Sequence, residues 1–262
     1  MATSTNASSS SVTPKQNILT IVQQVLPQYF ASTLNQVPDM VNIFMGLCYQ
    51  EGALNPNIQP GYPQNSKVNT KGTVAYDYWQ STPIIAARAK LNPTILSNVT
   101  DGLRAWGLTQ VGGWNVVRGA SKANGKTIIE ASRPDLAGQL MVNPGDSIRA
   151  KYNGEANLQN MILAGLVILE NKYTSVVSGS GTNWTAGKLK FNSRIAAAIA
   201  AYYGLSMAAN PTPYQYSASV MTGGASYNKA KSATGGATSS TNTTSGQPSN
   251  VSDGNNQTVP GC

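Results

Sequence analysis

The segment 38–56, PDMVNIFMGLCYQEGALNP, carries the pattern on which the predicted fold rests. Pro38 and Asp39 suit the first turn of a helix, where proline loses no hydrogen bond and an acidic group meets the positive end of the helix dipole. Apolar residues then recur at helical spacing and predict one core-facing side; they are Val41, Phe44, Leu47 and Cys48. Gly52 and a following Asn-Pro pair are stop signals, so the helix is expected to end just after Glu51.

Glu51 falls on the edge of this apolar side, because it follows Cys48 by three residues and Leu47 by four. Partial burial disfavours a charged carboxylate, and so does the negative end of the helix dipole. Both effects are expected to raise the pKa of Glu51, which is the property that a general acid needs near neutral pH. The alternative interpretation is a glutamate at a helix end that points into solvent.

The composition excludes several classes of site. The 262 residues contain no histidine and two cysteines, which excludes histidine-based triads, histidine-ligated metals and a disulfide framework. We therefore expect no cofactor and no metal. Cys48 is interpreted as a small buried apolar residue, whereas Cys262 is left open between a free thiol and an intermolecular link. The net charge of +8 suits nucleic acid, anionic lipid or the anionic bacterial cell wall alike.

The chain is predicted to hold one mainly α-helical domain with flexible N- and C-terminal arms. Residues 1–14 are polar and lack the basic and apolar regions of a secretory signal, so a flexible arm is expected there. Residues 15–214 form the domain, with insertions near 57–105 and 115–155. No stretch is apolar for long enough to predict a transmembrane segment.

Within the domain, hydrophobic periodicity predicts helices over 15–35, 157–173 and 191–203, with a kink or a break at Pro27. The second of these is apolar nearly all round, as expected of a central core helix.

The composition changes near the C-terminus. Residues 215–262 are poor in large apolar side chains, and we interpret them as a low-complexity tail that cannot offset its own ordering entropy. Removal of residues 222–262 is accordingly expected to leave activity intact.

Four short motifs succeed one another between residues 38 and 204. They are Glu51 in QEGALNP, the turn Gly107-Leu108-Thr109-Gln110, Asn157 at the start of NLQNMILAGLVILE, and Ala201-Tyr202-Tyr203-Gly204. In this order they resemble the soluble lytic transglycosylase family of lysozyme-like enzymes. That family has a glutamate in an E-S-x-x-N-P context, a G-L-M-Q turn, a long apolar helix begun by asparagine, and an alanine-rich helix ending A-Y-N. The resemblance implies a lysozyme-like helical domain of the lytic transglycosylase or goose-type lysozyme kind.

The chain departs from the family pattern at three positions and in one spacing. Gly52 replaces the family serine, Thr109 replaces methionine, and Tyr203 replaces asparagine. The interval from Glu51 to Gly107 is also longer than in the family, which predicts an insertion beside the glycan groove.

The resemblance implies cleavage of the MurNAc-GlcNAc β-1,4 bond of peptidoglycan by a single glutamate, here Glu51. The glutamate protonates the leaving oxygen, the substrate's N-acetyl group stabilises the cation, and the 6-hydroxyl attacks to form 1,6-anhydro-MurNAc. A hydrolytic lysozyme would instead pair the acid with a second carboxylate. Candidate partners for hydrolysis are Asp77, Asp101 and Asp135, although each is also explained as a surface or capping residue.

Candidate substrate-binding residues come from the same motifs. Tyr202 is expected to hydrogen-bond and orient Glu51, unless it is an amphipathic tyrosine at the core edge. Gln110, next to Leu108 in the turn, is expected to donate to an N-acetyl carbonyl, unless its amide satisfies the loop backbone. Three aromatic residues are candidates to stack on sugar faces or, alternatively, to belong to the core; they are Trp106, Trp114 and Tyr203.

The missing export signal and the basic charge favour a bacteriophage virion protein that opens the wall locally during genome entry. Its partners would be peptidoglycan glycan strands and, through the terminal arms, other virion or tail proteins. The alternatives are a hydrolytic muramidase and a structural virion protein that keeps the fold with little or no activity. Nucleic acid is not expected as a partner, because the lysines and arginines are scattered and no recognition motif is present.

Overall fold

The computed structural model describes residues 13–58, 105–120, 125–205, 207 and 211–235, and elements are numbered within these ranges. The helices are α1 (Pro14–Tyr29), α2 (Met40–Gly52), α3 (Gly113–Val116), α4 (Ile128–Ser132), α5 (Pro134–Leu140), α6 (Ile148–Tyr152), α7 (Leu158–Asn171), α8 (Arg194–Tyr203), α9 (Pro213–Val220) and α10 (Ala225–Ala233). The strands are β1 (Ala105–Trp106), β2 (Val111–Gly112), β3 (Val177–Ser180), β4 (Asn183–Ala186) and β5 (Leu189–Phe191). The mainly helical class predicted from the sequence is confirmed.

Two small antiparallel sheets accompany the helices. Strands β1 and β2 flank the turn of residues 107–110, and β3, β4 and β5 form a meander between α7 and α8. The region near 115–155, where the sequence predicted an insertion, contains the short helices α4, α5 and α6. The other predicted insertion, near 57–105, lies almost wholly outside the described residues.

Helix α7 is the centre of the core. Every residue from 161 to 169 is buried, so the helix is enclosed on all sides, as its uniformly apolar sequence predicted. It packs against α1, α4, α5, α6 and α8. The helix begins just after Asn157, whose side-chain amide donates to the carbonyls of Asn153 and Ala150 at 2.7 and 3.1 Å.

Helix α1 begins one residue before the predicted boundary, with Thr13 accepting a capping hydrogen bond from the amide of Gln16. It is a single helix that includes Pro27 and ends two residues later at Tyr29. The predicted break at Pro27 therefore falls in the last turn, where one missing N–H removes little of the hydrogen-bond ladder.

Helix α2 ends at Gly52, so the predicted position of Glu51 in the last turn of a helix is confirmed. Ala53 and Leu54 come next in the left-handed region, with φ of 51° and 58°, and the amide of Ala53 donates to the Tyr49 carbonyl at 2.8 Å. At the other end, Asp39 precedes the helix and does not cap it with its side chain.

The prediction of a low-complexity tail from residue 215 is wrong for residues 215–233. Helices α9 and α10 fold back on α2 and bury four apolar side chains in the core; these are Tyr216, Val220, Tyr227 and Ala230. The approach is close because Gly46 of α2 has no side chain. A Cβ at Gly46 would lie 3.0 Å from the Val220 carbonyl oxygen and 3.1 Å from the Tyr227 Cα. A few apolar residues are thus enough to hold this segment, because α2 supplies the other half of the interface.

Polar contacts also hold α10 to α2. The Asp39 carboxylate accepts hydrogen bonds from the Tyr227 hydroxyl at 2.6 Å and the Thr222 hydroxyl at 3.3 Å. The Gln50 side-chain oxygen accepts from the hydroxyls of Ser219 and Ser226. The serine- and threonine-rich composition of this segment therefore serves a specific interface.

Within the described residues, no helix combines the length and apolar character needed to cross a membrane.

Two truncations distinguish the folded part of the C-terminal region from residues 236–262. Removing residues 236–262 takes away none of the described helices, so we expect a melting temperature close to that of the full chain. Removing residues 222–262 deletes α10 and exposes its binding face on α2, which should lower the free energy of unfolding by at least ~2 kcal/mol. Thermal unfolding measured by circular dichroism compares both, and equal melting temperatures for the two truncations would contradict the role given to α10.

Candidate active site

Glu51 lies at the end of α2 beneath α9, and it remains partly accessible to solvent. Its Oε1 accepts a hydrogen bond from the hydroxyl of Tyr216 in α9. The Tyr216 ring stacks on the ring of Tyr203, with centroids 4.2 Å apart and planes 11° from parallel. The carboxyl group is therefore held by one hydroxyl and bordered by two aromatic rings.

This environment raises the pKa of Glu51, so that the protonated and charged forms are both populated near neutral pH. Burial raises the pKa of Glu51 to about 7, and the hydrogen bond from Tyr216 opposes part of that rise. Burial and the neighbouring Glu51 charge raise the pKa of Tyr216 well above its ordinary value, so the phenol stays neutral and remains a donor. A carboxyl group with this pKa exchanges a proton readily under physiological conditions.

The turn of residues 107–110 packs directly against the end of α2. A Cβ at Gly52 would lie 3.2 Å from the Leu108 carbonyl oxygen, which is closer than most side chains tolerate. The glycine that comes directly after Glu51 thus permits the turn to approach the carboxyl-bearing end of the helix.

The same turn packs on α7 from its other side. A Cβ at Gly165 of α7 would overlap the side chain of Thr109, 2.5 Å from its Oγ1, and the Thr109 hydroxyl donates to the Met161 carbonyl at 3.4 Å. Gly107 has φ of 71°, and a Cβ there would lie 2.7 Å from Met161 Cγ. Small residues on both sides therefore allow the turn to fit between the Glu51 helix and the core helix.

Tyr202 does not bind Glu51, contrary to the role expected from the sequence. Its hydroxyl donates instead to the carbonyl oxygen of Thr109 at 2.7 Å. Burial raises the pKa of Tyr202 well above its ordinary value, and the nearby Glu51 charge adds to the effect. Tyr202 thus fastens the 107–110 turn to α8 and acts on Glu51 only through packing and charge.

The side-chain amide of Gln110 satisfies the loop backbone, which is one of the two interpretations that the sequence left open. Its side-chain amide donates to the Gly107 carbonyl at 3.0 Å, which closes the turn on itself. Its backbone lies in the left-handed region at φ of 48°, a conformation that this local hydrogen bond helps to hold. The structure therefore assigns the amide to the loop backbone.

The remaining candidate binding residues divide into buried residues and partly exposed residues. Trp106 is 1% exposed with the Arg149 guanidinium over its ring, and Leu108 is fully buried, so neither can contact a glycan and both predictions are wrong. Trp114 is half-buried with its ring against Gly112, and it keeps a surface toward solvent. Tyr203 is half-buried beside Glu51 through its stacking on Tyr216.

Of the three carboxylates considered as hydrolytic partners, Asp135 is the one in the described part of the chain, and it does not supply a second acid beside Glu51. Asp135 is exposed and bound by Arg133 through two hydrogen bonds of 2.9 and 2.6 Å, which lowers the pKa of Asp135. Asp77 and Asp101 lie outside the described residues. No group of three or more potential metal ligands occurs in the described part of the chain.

Sequence analysis missed Tyr216, because residues from 215 onward were assigned to the tail. A local signal was present. Thr212 and Gln215 form a capping box around Pro213, and this combination of residues predicts the start of a helix. The signal locates α9, but only the tertiary structure brings its tyrosine to Glu51.

The described fold and site define a mainly helical protein in which a carboxyl group of raised pKa, hydrogen-bonded by a tyrosine, lies at the end of a core helix. Comparison with protein-family models, curated proteins and solved structures finds no match to this chain. The resemblance to a family therefore rests on the four sequence motifs alone.

The raised pKa of Glu51 predicts a pH-dependent stability. Between its ordinary pKa of 4.5 and about 7, the folded protein binds more protons at this position than the unfolded chain. The free energy of unfolding therefore falls as pH rises through this window, by ~3 kcal/mol in total. Glu51→Gln does not titrate, so we expect it to match the wild type near pH 4 and to be more stable above pH 7.

Urea unfolding of both proteins at pH values across this window measures the difference. Glu155→Gln serves as the control, because Glu155 is exposed and the variant should behave like the wild type at every pH. A stability difference between Glu51→Gln and wild type that does not grow with pH would contradict the burial of this carboxyl group.

Proposed function

We propose that this protein is a peptidoglycan lytic transglycosylase with a lysozyme-like domain, in which Glu51 is the single acid and base. The observation that carries the proposal is the environment of Glu51. It is the carboxyl group with a pKa raised to about 7, held by Tyr216, at a place where three of the four motifs meet. The QEGALNP helix end contacts the 107–110 turn, and Tyr202 of the A-Y-Y-G motif bonds to that turn.

The chemistry requires a carboxyl group that is first protonated and then charged. The protonated Glu51 donates to the glycosidic oxygen as the bond from MurNAc C1 to that oxygen breaks. The resulting carboxylate is stabilised by the Tyr216 hydroxyl, and it then accepts the proton of the MurNAc 6-hydroxyl as the bond from O6 to C1 forms. Glu51 ends protonated again, so no water and no second acid are consumed.

The partners of the other carboxylates support a mechanism with one glutamate. Among the described residues, Glu170 is bonded to Thr33 and lies 3.7 Å from Arg133, and Glu130 pairs with Arg118 at 3.2 Å. Each is committed to a structural contact, as Asp135 is. A hydrolase that uses a paired carboxylate would therefore need one other than these three.

The setting that fits this activity is a phage particle that opens the bacterial wall during genome entry. The net charge of +8 favours association with the anionic wall. Contacts of the terminal segments with other virion or tail proteins belong to the same proposal.

The reaction is tested by mass spectrometry of fragments released from purified peptidoglycan. The wild type should release fragments ending in 1,6-anhydro-MurNAc, one water lighter than hydrolysis products. Glu51→Gln should lower the rate by about 10²-fold to 10⁴-fold, because it removes the proton donor. Glu155→Gln is the matched control and should release fragments at the wild-type rate.

Fragments with reducing ends in place of anhydro ends would show that water attacks the glycan, and the protein would then be a muramidase rather than a lyase. Release at the wild-type rate by Glu51→Gln would remove Glu51 from the mechanism. No release by any of the proteins would favour a structural virion component.

The role of Tyr216 is tested through the pH profile of cleavage. The hydrogen bond from Tyr216 lowers the pKa of Glu51, so Tyr216→Phe should raise that pKa further and move the alkaline limb of the activity profile to higher pH. The phenyl ring preserves the stacking on Tyr203. Tyr152→Phe is the control, since it also removes a buried hydroxyl, bonded at 2.6 Å to the Leu140 carbonyl, and should leave the profile in place.

A Tyr216→Phe profile that coincides with that of the wild type would show that the hydrogen bond does not tune Glu51.

A further inference from the structure

The hydroxyl of Tyr216 reaches Glu51 only if helix α9 is held in one place and one orientation. The capping box of Thr212 and Gln215 shapes the first turn of α9, and the Tyr216 amide donates to the Thr212 carbonyl at 2.9 Å. These hydrogen bonds lie within α9 and its cap, so they do not fix the helix relative to Glu51. Contacts with other elements must do so.

Ser217, the neighbour of Tyr216, joins α9 to α8. Its side chain is buried, and its hydroxyl donates to the Ala196 carbonyl at 2.8 Å. Ala196 lies in the interior of α8, where its carbonyl also accepts the backbone hydrogen bond of the helix. The bond from Ser217 is therefore an additional one, and its effect is to fasten one helix to the other.

The ring of Tyr203 is a second attachment point on α8. It stacks on the Tyr216 ring, with centroids 4.2 Å apart and planes 11° from parallel. Ala196 and Tyr203 are seven residues apart, which places them on the same side of α8 and about 10 Å from each other along its axis. Two attachment points at this separation stop α9 from turning about either of them.

The stacking also controls the direction of the Tyr216 hydroxyl. The O–H bond of a phenol prefers the plane of its ring, so the tilt of the ring decides where the hydrogen points. A hydrogen bond weakens steeply when its donor is misaligned. Because the Tyr203 ring lies nearly parallel to that of Tyr216, it holds the plane from which Tyr216 donates to Glu51.

This control has a consequence because Glu51 is not sealed from water. Its side chain remains partly accessible to solvent, whereas Tyr216 is 2% exposed. Water therefore competes for the carboxylate oxygen whenever the Tyr216 hydroxyl turns away. Groups that keep Tyr216 aligned decide which of the two donors Glu51 meets.

Glu51 titrates separately from the ionisable groups around it. Burial first, and the Glu51 charge second, raise the pKa of each group; they are Cys48 of α2, Tyr202 and Tyr203 of α8, and Tyr216 of α9. All four stay neutral near pH 7, so a change in the pKa of Glu51 reports on its own surroundings.

We propose that the ring of Tyr203 and the hydroxyl of Ser217 are positioning groups that hold the Tyr216 hydroxyl on Glu51. Both act through Tyr216, which is the hydrogen-bond donor to the carboxyl group. Their importance for glycan cleavage rests on the proposed function. Their effect on Glu51 itself rests on the stacking and on the bond between α8 and α9.

The test measures the pKa of Glu51 directly by NMR titration of the full chain with isotope-labelled glutamate. The chain has four glutamates, and Glu51→Gln identifies the signal of Glu51 by its loss. Tyr216→Phe removes the hydrogen bond that lowers this pKa, so it should raise the pKa above about 7 and sets the scale.

Tyr203→Leu keeps apolar cover over Tyr216 but cannot stack. It should raise the pKa of Glu51 by about half or more of the rise that Tyr216→Phe produces. Tyr203→Phe keeps the ring and should match the wild type. Tyr173→Leu is the control, because Tyr173 is also a half-buried tyrosine but its ring lies against Arg194.

Ser217→Ala tests the same role without removing a ring, and it should raise the pKa of Glu51 in the same direction. Ser132→Ala is its control, because the Ser132 hydroxyl accepts a hydrogen bond of 3.1 Å from the Asn171 side chain and so joins α4 to α7. When Tyr216→Phe is already present, neither Tyr203→Leu nor Ser217→Ala should raise the pKa further, since no hydroxyl remains to be positioned.

An unchanged or lowered pKa of Glu51 in both Tyr203→Leu and Ser217→Ala would overturn the positioning role. An equal rise with and without Tyr216→Phe would also overturn it, because both residues would then act on Glu51 without Tyr216. The expected rises together with no cleavage of peptidoglycan by the wild type support the positioning role and remove the lyase activity. Cleavage by the wild type together with unchanged pKa values leaves the lyase activity and removes the positioning role.

Discussion

The hydrogen bond from Tyr216 to Glu51 links two parts of the chain that are 165 residues apart, and the site depends on it. This hydrogen bond forms because α9 and α10 pack over the last turns of α2. The same packing buries the carboxyl group of Glu51. Burial raises the pKa of Glu51 and the hydrogen bond lowers it, so one packing arrangement produces both opposing effects. The chemistry of Glu51 is therefore a property of the interface between these helices.

Close approach of backbones is the means by which this interface forms. Gly46 admits the backbone of α9 and α10 on one side of α2, and Gly52 admits the 107–110 turn at its end. Gly165 makes a place for Thr109 on the core helix. Because a side chain at any of these positions would push apart two elements that meet near Glu51, the glycines determine the geometry of the site as directly as the polar residues do.

The three residues at which the motifs differ from the pattern they resemble each contact another element. Gly52 lies under the Leu108 carbonyl, Thr109 fits against Gly165, and Tyr203 stacks on Tyr216. Each of these three residues is matched to a partner in another element. This pattern is what packing at crystal-like density requires, since a change in volume on one side of a contact must be compensated on the other.

Local signals in the sequence established the helical class, the end of α2 just after Glu51 and the enclosed core helix α7, because stop residues and hydrophobic periodicity act within a few residues. The same kind of signal misassigned residues 215–233. Their few apolar side chains stabilise helices α9 and α10 only when they pack against α2. It also assigned to Tyr202 the role that Tyr216 holds, and it placed Trp106 and Leu108 in a binding role although they are buried. Which tyrosine reaches Glu51, and which aromatic rings remain exposed, depends on contacts between segments far apart in the chain. These points are settled in the folded molecule alone, because burial and hydrogen-bond partners are set by neighbours in space.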